Sequence, residues 1–300
     1  MLCSCGRVLL AEGDADKKAI ADLTRQANEQ SGLIAELTRA KVAQLRAELK
    51  AEQAFAKALK SARADIVDSL DNALTLINPS SLAQLSNDEL TDLILNAGLG
   101  NAIDVFIDQQ DKIRDSIEAT LNAVEPTFNY QSIAPQVDAL QIQSSTAVFD
   151  DIIIPMYQKS IRESLRDIAL EIPATVALSN LQMRMKKSEG SALTEVRTKI
   201  SQYGRGVTAV AAKAAGLNNY LYTGPKDGIT RPFCRQLINL VVSERQMSRL
   251  NNGQGLNVIT SGGGYNCRHS WSPVSEGFIK AAKLKRATDD DINEANKDAK

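Results

Sequence analysis

The sequence predicts a mainly α fold, with long N-terminal helices and a helical middle followed by a small α+β C-terminal module. Three observations point there. The first 78 residues contain no proline, and their apolar positions recur at mixed three- and four-residue steps. Aromatic residues make up 4% of the chain while Ala, Leu, Ile and Gln abound, a balance that favours helix over sheet. After Gly216 the texture changes to short apolar runs between turn residues. With 43% hydrophobic and 24% charged residues, the 300-residue chain can bury a core and is not of disordered composition.

The elements follow in order. Ile20, Leu23, Ala27, Leu37, Leu45, Leu49, Phe55, Leu59, Ala62, Ile66, Leu70 and Ala73 predict one amphipathic helix from about Asp14 to Ile77, ended by "NPSS". Such a length must pack on a partner or a sister helix. Its alanine-rich, imperfect stripe does not describe a regular coiled coil. Ser86 and Glu89 form a capping box, and Gly98 offers a stop. A helix from about Gly100 to Val124 is closed by Pro126, and "TFNYQSIAP" reads as a linker. Helix resumes from about Gln136 to Glu171, bent or broken at Pro155. Shorter helices are expected at 174–187 and 190–214, with Gly190, Gly204, Gly206 and Gly216 as joints. "NNYLYTG" and "GLNVITSGGG" read as strands, and "SERQMSRL" as a brief helix capped by Ser243. The final "ATDDDINEANKDAK" reads as a polar, frayed tail. The expected organisation is a helical arm over 1–78, a helical domain over 79–183, a basic module over 184–286 and an acidic tail over 287–300.

Charge supports a division of labour. Residues 184–286 carry a net charge of +12, residues 1–183 carry −10 and the tail carries −3. A basic surface of this kind suits nucleic acid. Lys186, Lys187, Arg205, Lys213, Lys283, Lys285 and Arg286 are the candidate DNA contacts. No apolar run approaches the length of a membrane span, and "MLCSCGRVLLAEGD" does not read as a signal peptide. Four cysteines do not make a disulfide scaffold, so synthesis in a reducing cytoplasm is expected.

The chemistry concentrates in "SGGGYNCRHSWSPVS", residues 261–275, which holds the chain's single histidine and single tryptophan. Cys234, Cys267 and His269 are candidate zinc ligands, because residues 267 and 269 project to one side of an extended segment. A fourth ligand would have to be Asp227, Cys3, Cys5 or water. The alternatives are two buried thiols beside a histidine that caps a carbonyl, or a Cys234–Cys267 disulfide. A nucleophilic Cys267–His269 pair would draw on Asp227 or Glu244 as its nearest carboxylates. "SGGG" lacks the Gly-Lys-Ser/Thr of a phosphate-binding loop and instead suggests a tight turn or a close backbone approach. Trp271 reads as an anchor of a small core. Residue chemistry alone leaves these readings open.

The order of "YLYTGPKDGITRPFC", "VSERQMSRLNNGQG" and "GGGYNCRHSWSPVS" resembles the C-terminal module of phage minor head proteins, the Mu-F-like head morphogenesis family. The matching positions are Asp227, Thr230, Arg231, Cys234, Gly264, Cys267, Arg268 and His269, within roughly residues 195–275. Cysteine stands where many members have histidine, and histidine where many have the last cysteine, so the number of potential ligands is kept. The resemblance implies a non-enzymatic virion protein, present in several copies in a ring-like setting at the portal vertex. Its implied partners are the portal, other capsid proteins and, non-specifically, double-stranded DNA. It also implies that Arg231 and Arg268 serve as internal partners of Asp227 rather than as phosphate contacts. The rivals are a head-carried nuclease-like or transferase-like enzyme using Cys267, His269 and Asp227, and a head–tail connector.

Overall fold

A computed structural model describes residues 5–30, 32–125 and 127–299. About 75% of the chain is helical, and a small four-stranded mixed sheet with short helices follows the long ones, as the sequence predicts. Pro126, the expected helix stop, lies outside the described residues.

The long N-terminal helix is two helices, α1 (Cys5–Glu29) and α2 (Gly32–Leu76). Gly32 sits at φ +60°, a left-handed conformation that costs glycine little, so the chain turns there instead of continuing. Beyond the turn Thr38 bonds Gln30 at 2.8 Å, and Arg46 reaches Thr24 at 3.4 Å, which places the two helices side by side. Periodicity could not reveal this break, because a hairpin keeps the same apolar spacing on both limbs. The predicted stripe is buried at Leu23, Ala27, Leu37, Phe55, Leu59, Ala62, Ile66 and Leu70.

Short α3 (Pro79–Leu82) precedes α4 (Asn87–Ile94), whose Ser86–Glu89 capping box forms as expected. A wide π-type turn at Leu95–Leu99 leads into α5 (Gly100–Val124). Gly98 in that turn has φ +114°, and a Cβ there would lie 2.9 Å from Asp65 Oδ2. The expected linker contains a buried turn at Tyr130–Ile133 before α6 (Ala134–Val148). A second π-type turn, Phe149–Ile153, breaks the chain ahead of α7 (Ile154–Ala169), where Pro155 sits in the first turn, the position that needs no amide hydrogen.

The two helices expected at 174–187 and 190–214 are one helix, α8 (Ala174–Ala214). Two of its glycines are points of close approach rather than joints. A Cβ at Gly204 would meet Ile113, Gln44 and Glu48 at 3.2–3.3 Å, and one at Gly206 would meet Leu140 at 3.4 Å. Only Gly216, at φ +69°, ends helix.

The chain divides into two compact units that do not follow chain order. The first is built mainly from residues 51–109 and 143–196, and the second from 10–50, 110–142 and 197 onward. In the first unit Phe55, Phe106 and Phe149 pack edge to face with centroids 5.3–5.7 Å apart. The second unit contains the sheet: β1 (Asn219–Thr223), β2 (Leu240–Ser243), β3 (Ser270–Val274) and β4 (Lys285–Arg286), in the order β3-β1-β2-β4. β1 is antiparallel to β2 and β3, and β4 joins β2 in parallel. Alternation sends Tyr220, Tyr222, Val242 and Trp271 to one core, and Leu221, Val241 and Val274 to another that includes Leu37 of α2.

Helix α9 (Pro232–Leu237) starts with Pro232 in its first turn, and α10 (Glu244–Met247) carries the expected Ser243 cap. "GLNVITSGGG", expected as a strand, forms α11 (Val258–Ser261) instead. The Asn257 side chain accepts from the amides of Ile259 and Thr260, and this cap fixes a helical turn where β-branched residues suggested extension. After α12 (Glu276–Ala281), the expected frayed tail forms α13 (Asp289–Asp298). Thr288 and Asp291 make a capping box there, and Ile292 and Ala295 are fully buried on the side of α9. Two apolar residues among acids gave too weak a period to read.

By length and composition, the helical stretch Asn87–Asn122 is apolar enough to cross a membrane, contrary to the sequence expectation. It is bent at Gly98, and its Leu90, Ile94, Leu99, Phe106 and Ile113 are buried in protein.

Candidate metal centre

The motif residues are gathered by three pieces of backbone in the second unit. β1 delivers Tyr222 and leads into the loop containing Pro225, Asp227 and Thr230. α9 carries Cys234. The glycine turn after α11 delivers Cys267 and His269 at the start of β3.

Cys234 and Cys267 are free, buried thiols with their sulfurs 3.8 Å apart, well beyond a bonded distance. His269 Nδ1 lies 3.8 Å from Cys267 Sγ, and the three ligand atoms all fall within 4.8 Å of one another. The group could therefore hold a metal ion. The imidazole is oriented for it. His269 Nε2 lies 2.8 Å from the Pro225 carbonyl, which can only accept, so Nε2 carries the hydrogen and Nδ1 of the neutral ring presents a lone pair to the sulfurs. A ring nitrogen tied back in this way is the usual outer support of a metal-binding histidine. The two thiols share their protons unequally. Cys267 is held well below an ordinary thiol mainly because it accepts a hydrogen bond from Cys234, with the Arg205 charge close by. That same bond, together with burial, pushes Cys234 up.

Asp227 is not a fourth ligand. Arg268 grips it as a fork, with bonds of 2.7 and 2.8 Å. The Thr230 hydroxyl lies 2.9 Å from Asp227 Oδ1, and the Ile229 amide donates to the same oxygen at 3.2 Å. The Arg268 bonds first, and then the others, hold the Asp227 carboxyl well below the usual carboxylate range. The expected Arg268 pairing is present. Arg231 departs from expectation: it donates to the carbonyls of Gly263 and Tyr265, at 3.1 and 2.6 Å, and so clamps the glycine turn. Gly264 has φ +106°, a backbone conformation that strains any residue with a Cβ and so favours glycine. Trp271 donates from its indole to the Val258 carbonyl at 2.9 Å and packs 4.3 Å from the Tyr222 ring, as the expected core anchor. Cys3 lies outside the described residues, as does the side chain of Cys5.

The three ligand residues line a cavity of about 230 Å³, shared with Arg231, Arg197 and Asp16. The last two form an ion pair. The basic candidates are scattered. Lys186 and Lys187 belong to the first unit, and Lys213, Lys283 and Lys285 are exposed in the second. Arg286 is engaged by Glu276 at 2.5 Å and Asn219 at 3.1 Å. Arg205 is buried and donates to the carbonyls of Thr260 and Cys267, so it supports the motif from inside rather than facing a nucleic acid.

Two further groups carry no sign in the sequence. Tyr222 places its hydroxyl 3.4 Å from Cys234 Sγ and 3.7 Å from Cys267 Sγ. Lys41 of α2 is buried, with its nearest partner Gln44 at 3.4 Å. Desolvation pulls its ammonium down to about 8 against the opposing pull of Glu48. Each looks like an ordinary stripe residue until the fold assembles the site. No family model, curated protein or solved structure matches this chain.

Proposed function

We propose that this protein is a structural component of a phage particle, a minor head protein at the portal vertex, and that zinc held by Cys234, Cys267 and His269 pins its C-terminal module. One observation carries the reading. The motif residues turn inward onto one another: Arg268 onto Asp227, Arg231 onto the glycine turn, His269 onto Pro225 and Trp271 onto Val258. Such an arrangement serves to fix a fold. Two thiolates and an imidazole are donors that suit zinc, which needs no redox partner. The helices would meet the portal and other capsid proteins, and the exposed lysines would meet packaged DNA without regard to sequence.

A second reading, a head-carried enzyme, draws on the cavity into which Cys267 and His269 open. Asp227 cannot be its free base, because Arg268 and Thr230 already occupy the carboxylate.

Quantitative mass spectrometry of purified particles, before and after DNA release, tests the proposal. A few to about a dozen copies per head are expected on the ring-symmetric reading. Absence from the particles would overturn it and bring the enzyme forward.

A further inference from the structure

We infer that Tyr222 is the fourth ligand, so that Cys234, Cys267, His269 and the Tyr222 phenolate form a closed tetrahedral zinc site. This rests on the zinc reading above and goes beyond it, since it names the donor that completes the shell.

The distances carry the inference. Zinc binds sulfur at about 2.3 Å and nitrogen or oxygen at about 2.0–2.2 Å, so a tetrahedron sets sulfur atoms roughly 3.8 Å apart and sulfur roughly 3.5 Å from oxygen or nitrogen. The two sulfurs are 3.8 Å apart, and Cys267 Sγ is 3.8 Å from His269 Nδ1. Tyr222 Oη is 3.4 Å from one sulfur and 3.7 Å from the other. These four edges are close to those of a tetrahedron about one ion, and Cys234 Sγ and His269 Nδ1 lie within 4.8 Å of each other.

The phenol has an independent reason to be there. Tyr222 is fully buried, and a buried tyrosine hydroxyl usually finds a good oxygen or nitrogen partner. Among the described residues, its hydrogen-bond partners are two thiol sulfurs, which are weak acceptors. An ion between these groups would give the oxygen a strong partner instead. The glycines keep the space open. A Cβ at Gly262 would stand 3.3 Å from Tyr222 Oη and 3.1 Å from Cys267 Sγ, and one at Gly263 would stand 2.4 Å from Cys234 Sγ. The Tyr222 ring is also fixed, stacked on His269 with centroids 5.4 Å apart and wedged against Trp271.

Binding replaces the thiol and phenol protons, which leave to solvent, by bonds to zinc. Zinc with two thiolates, one phenolate and a neutral imidazole carries one net negative charge. The Arg205 guanidinium, bonded to the Cys267 carbonyl, and Lys41 supply positive charge close by. The rival for the fourth position is water from the adjoining cavity, which would leave the site open, as catalytic zinc sites are.

The test uses the full chain, reduced, stripped with a chelator and titrated with zinc and with cobalt(II). One metal per chain is expected, together with the ultraviolet difference signal of an ionised phenol. Tyr222→Phe keeps the ring and removes only the oxygen. It should still bind but should lose that signal. Outer-shell partners alone are worth about 10- to 100-fold in metal affinity, and loss of a direct ligand should weaken binding at least that much. Metal binding with no phenolate signal in the native chain, and a cobalt spectrum shifted by added azide, would overturn the Tyr222 assignment while leaving the three-residue site intact. No metal binding under reducing conditions would overturn both. The native phenolate signal decides the matter even if Tyr222→Phe does not fold.

Discussion

The pair Arg63–Glu189 in the first unit and the pair Arg268–Asp227 in the second are both withdrawn from solvent, yet their carboxyls move in opposite directions. Burial raises Glu189, and the opposing bonds from Tyr157, at 2.8 Å, and Arg63 do not bring it back. Asp227 is lowered, because a forked arginine, a hydroxyl and an amide together outweigh its desolvation. The difference lies in the number of donors the surrounding backbone supplies. Glu189 stands on a helix, whose amides are already spent in the helix ladder, so only side chains can reach it. Asp227 stands in a loop, where neighbouring backbone is free to turn inward. A helical scaffold thus tolerates a buried pair, whereas the loop around Asp227 is organised by one.

The largest expected effect breaks the second pair. Arg268→Ala strands the Asp227 carboxylate and should cost about 3–5 kcal/mol in urea unfolding. In the first unit, replacing the whole cluster at once, Arg63→Met with Glu189→Leu and Tyr157→Phe, should be neutral or stabilising by about 1–4 kcal/mol, because no partner is left unpaired. Equal losses at the two sites would break the contrast.

Lys41 sharpens the comparison with a buried charge that, among the described residues, has no carboxylate within ion-pair distance. The groups that face it are Gln44, Glu48, Arg205 and Cys267. Its folded value, about 8, lies below its unfolded one, so the chain loses stability as pH falls from 10.5 to about 8, and the penalty is complete below that. Lys41→Met should therefore gain up to about 3 kcal/mol near neutral pH. The gain should shrink as pH rises from about 8 toward 10.5, as followed by denaturant melts of both proteins. A gain that does not depend on pH would point to packing instead of charge.

The smallest effect is one of sign. The contribution of Asp227 is fully present above its unfolded value and is lost as pH falls through its depressed folded value. Glu189 contributes most below 4.5, and that contribution is lost as pH rises through its raised folded value. Thermal melts of Asp227→Asn and Glu189→Gln against the native chain should therefore diverge at opposite ends of the acid range. If both variants lost their effect on the same limb, the account of the two environments would be wrong.

What was legible followed from local rules. The capping box at Ser86, the cap at Ser243, the turn at Gly98 and the Arg268 fork could be read because each is decided within a few residues or by one complementary pair. The hairpin at Gly32 was not legible, and neither was the unbroken α8, since glycine means a bend in one setting and a helix contact in another. Cys234, Cys267 and His269 stood out as donors on the page. Tyr222 did not, because a tyrosine on an alternating strand looks like core, and only the pairing of β1 with β3 brings it to the sulfurs.

The second unit also imposes a timetable. Leu37 and Lys41 leave the ribosome before the groups they meet: Leu221 and Val241, which share a core with Leu37, and Arg205, whose charge faces Lys41, lie more than 150 residues later. Contacts so distant in sequence close slowly, because long loops must be ordered before they are rewarded. The part of the N-terminal hairpin around Leu37 must therefore wait uncovered until the sheet has been made. Nascent chains stalled before residue 220 should accordingly be the ones that draw holding chaperones or aggregate.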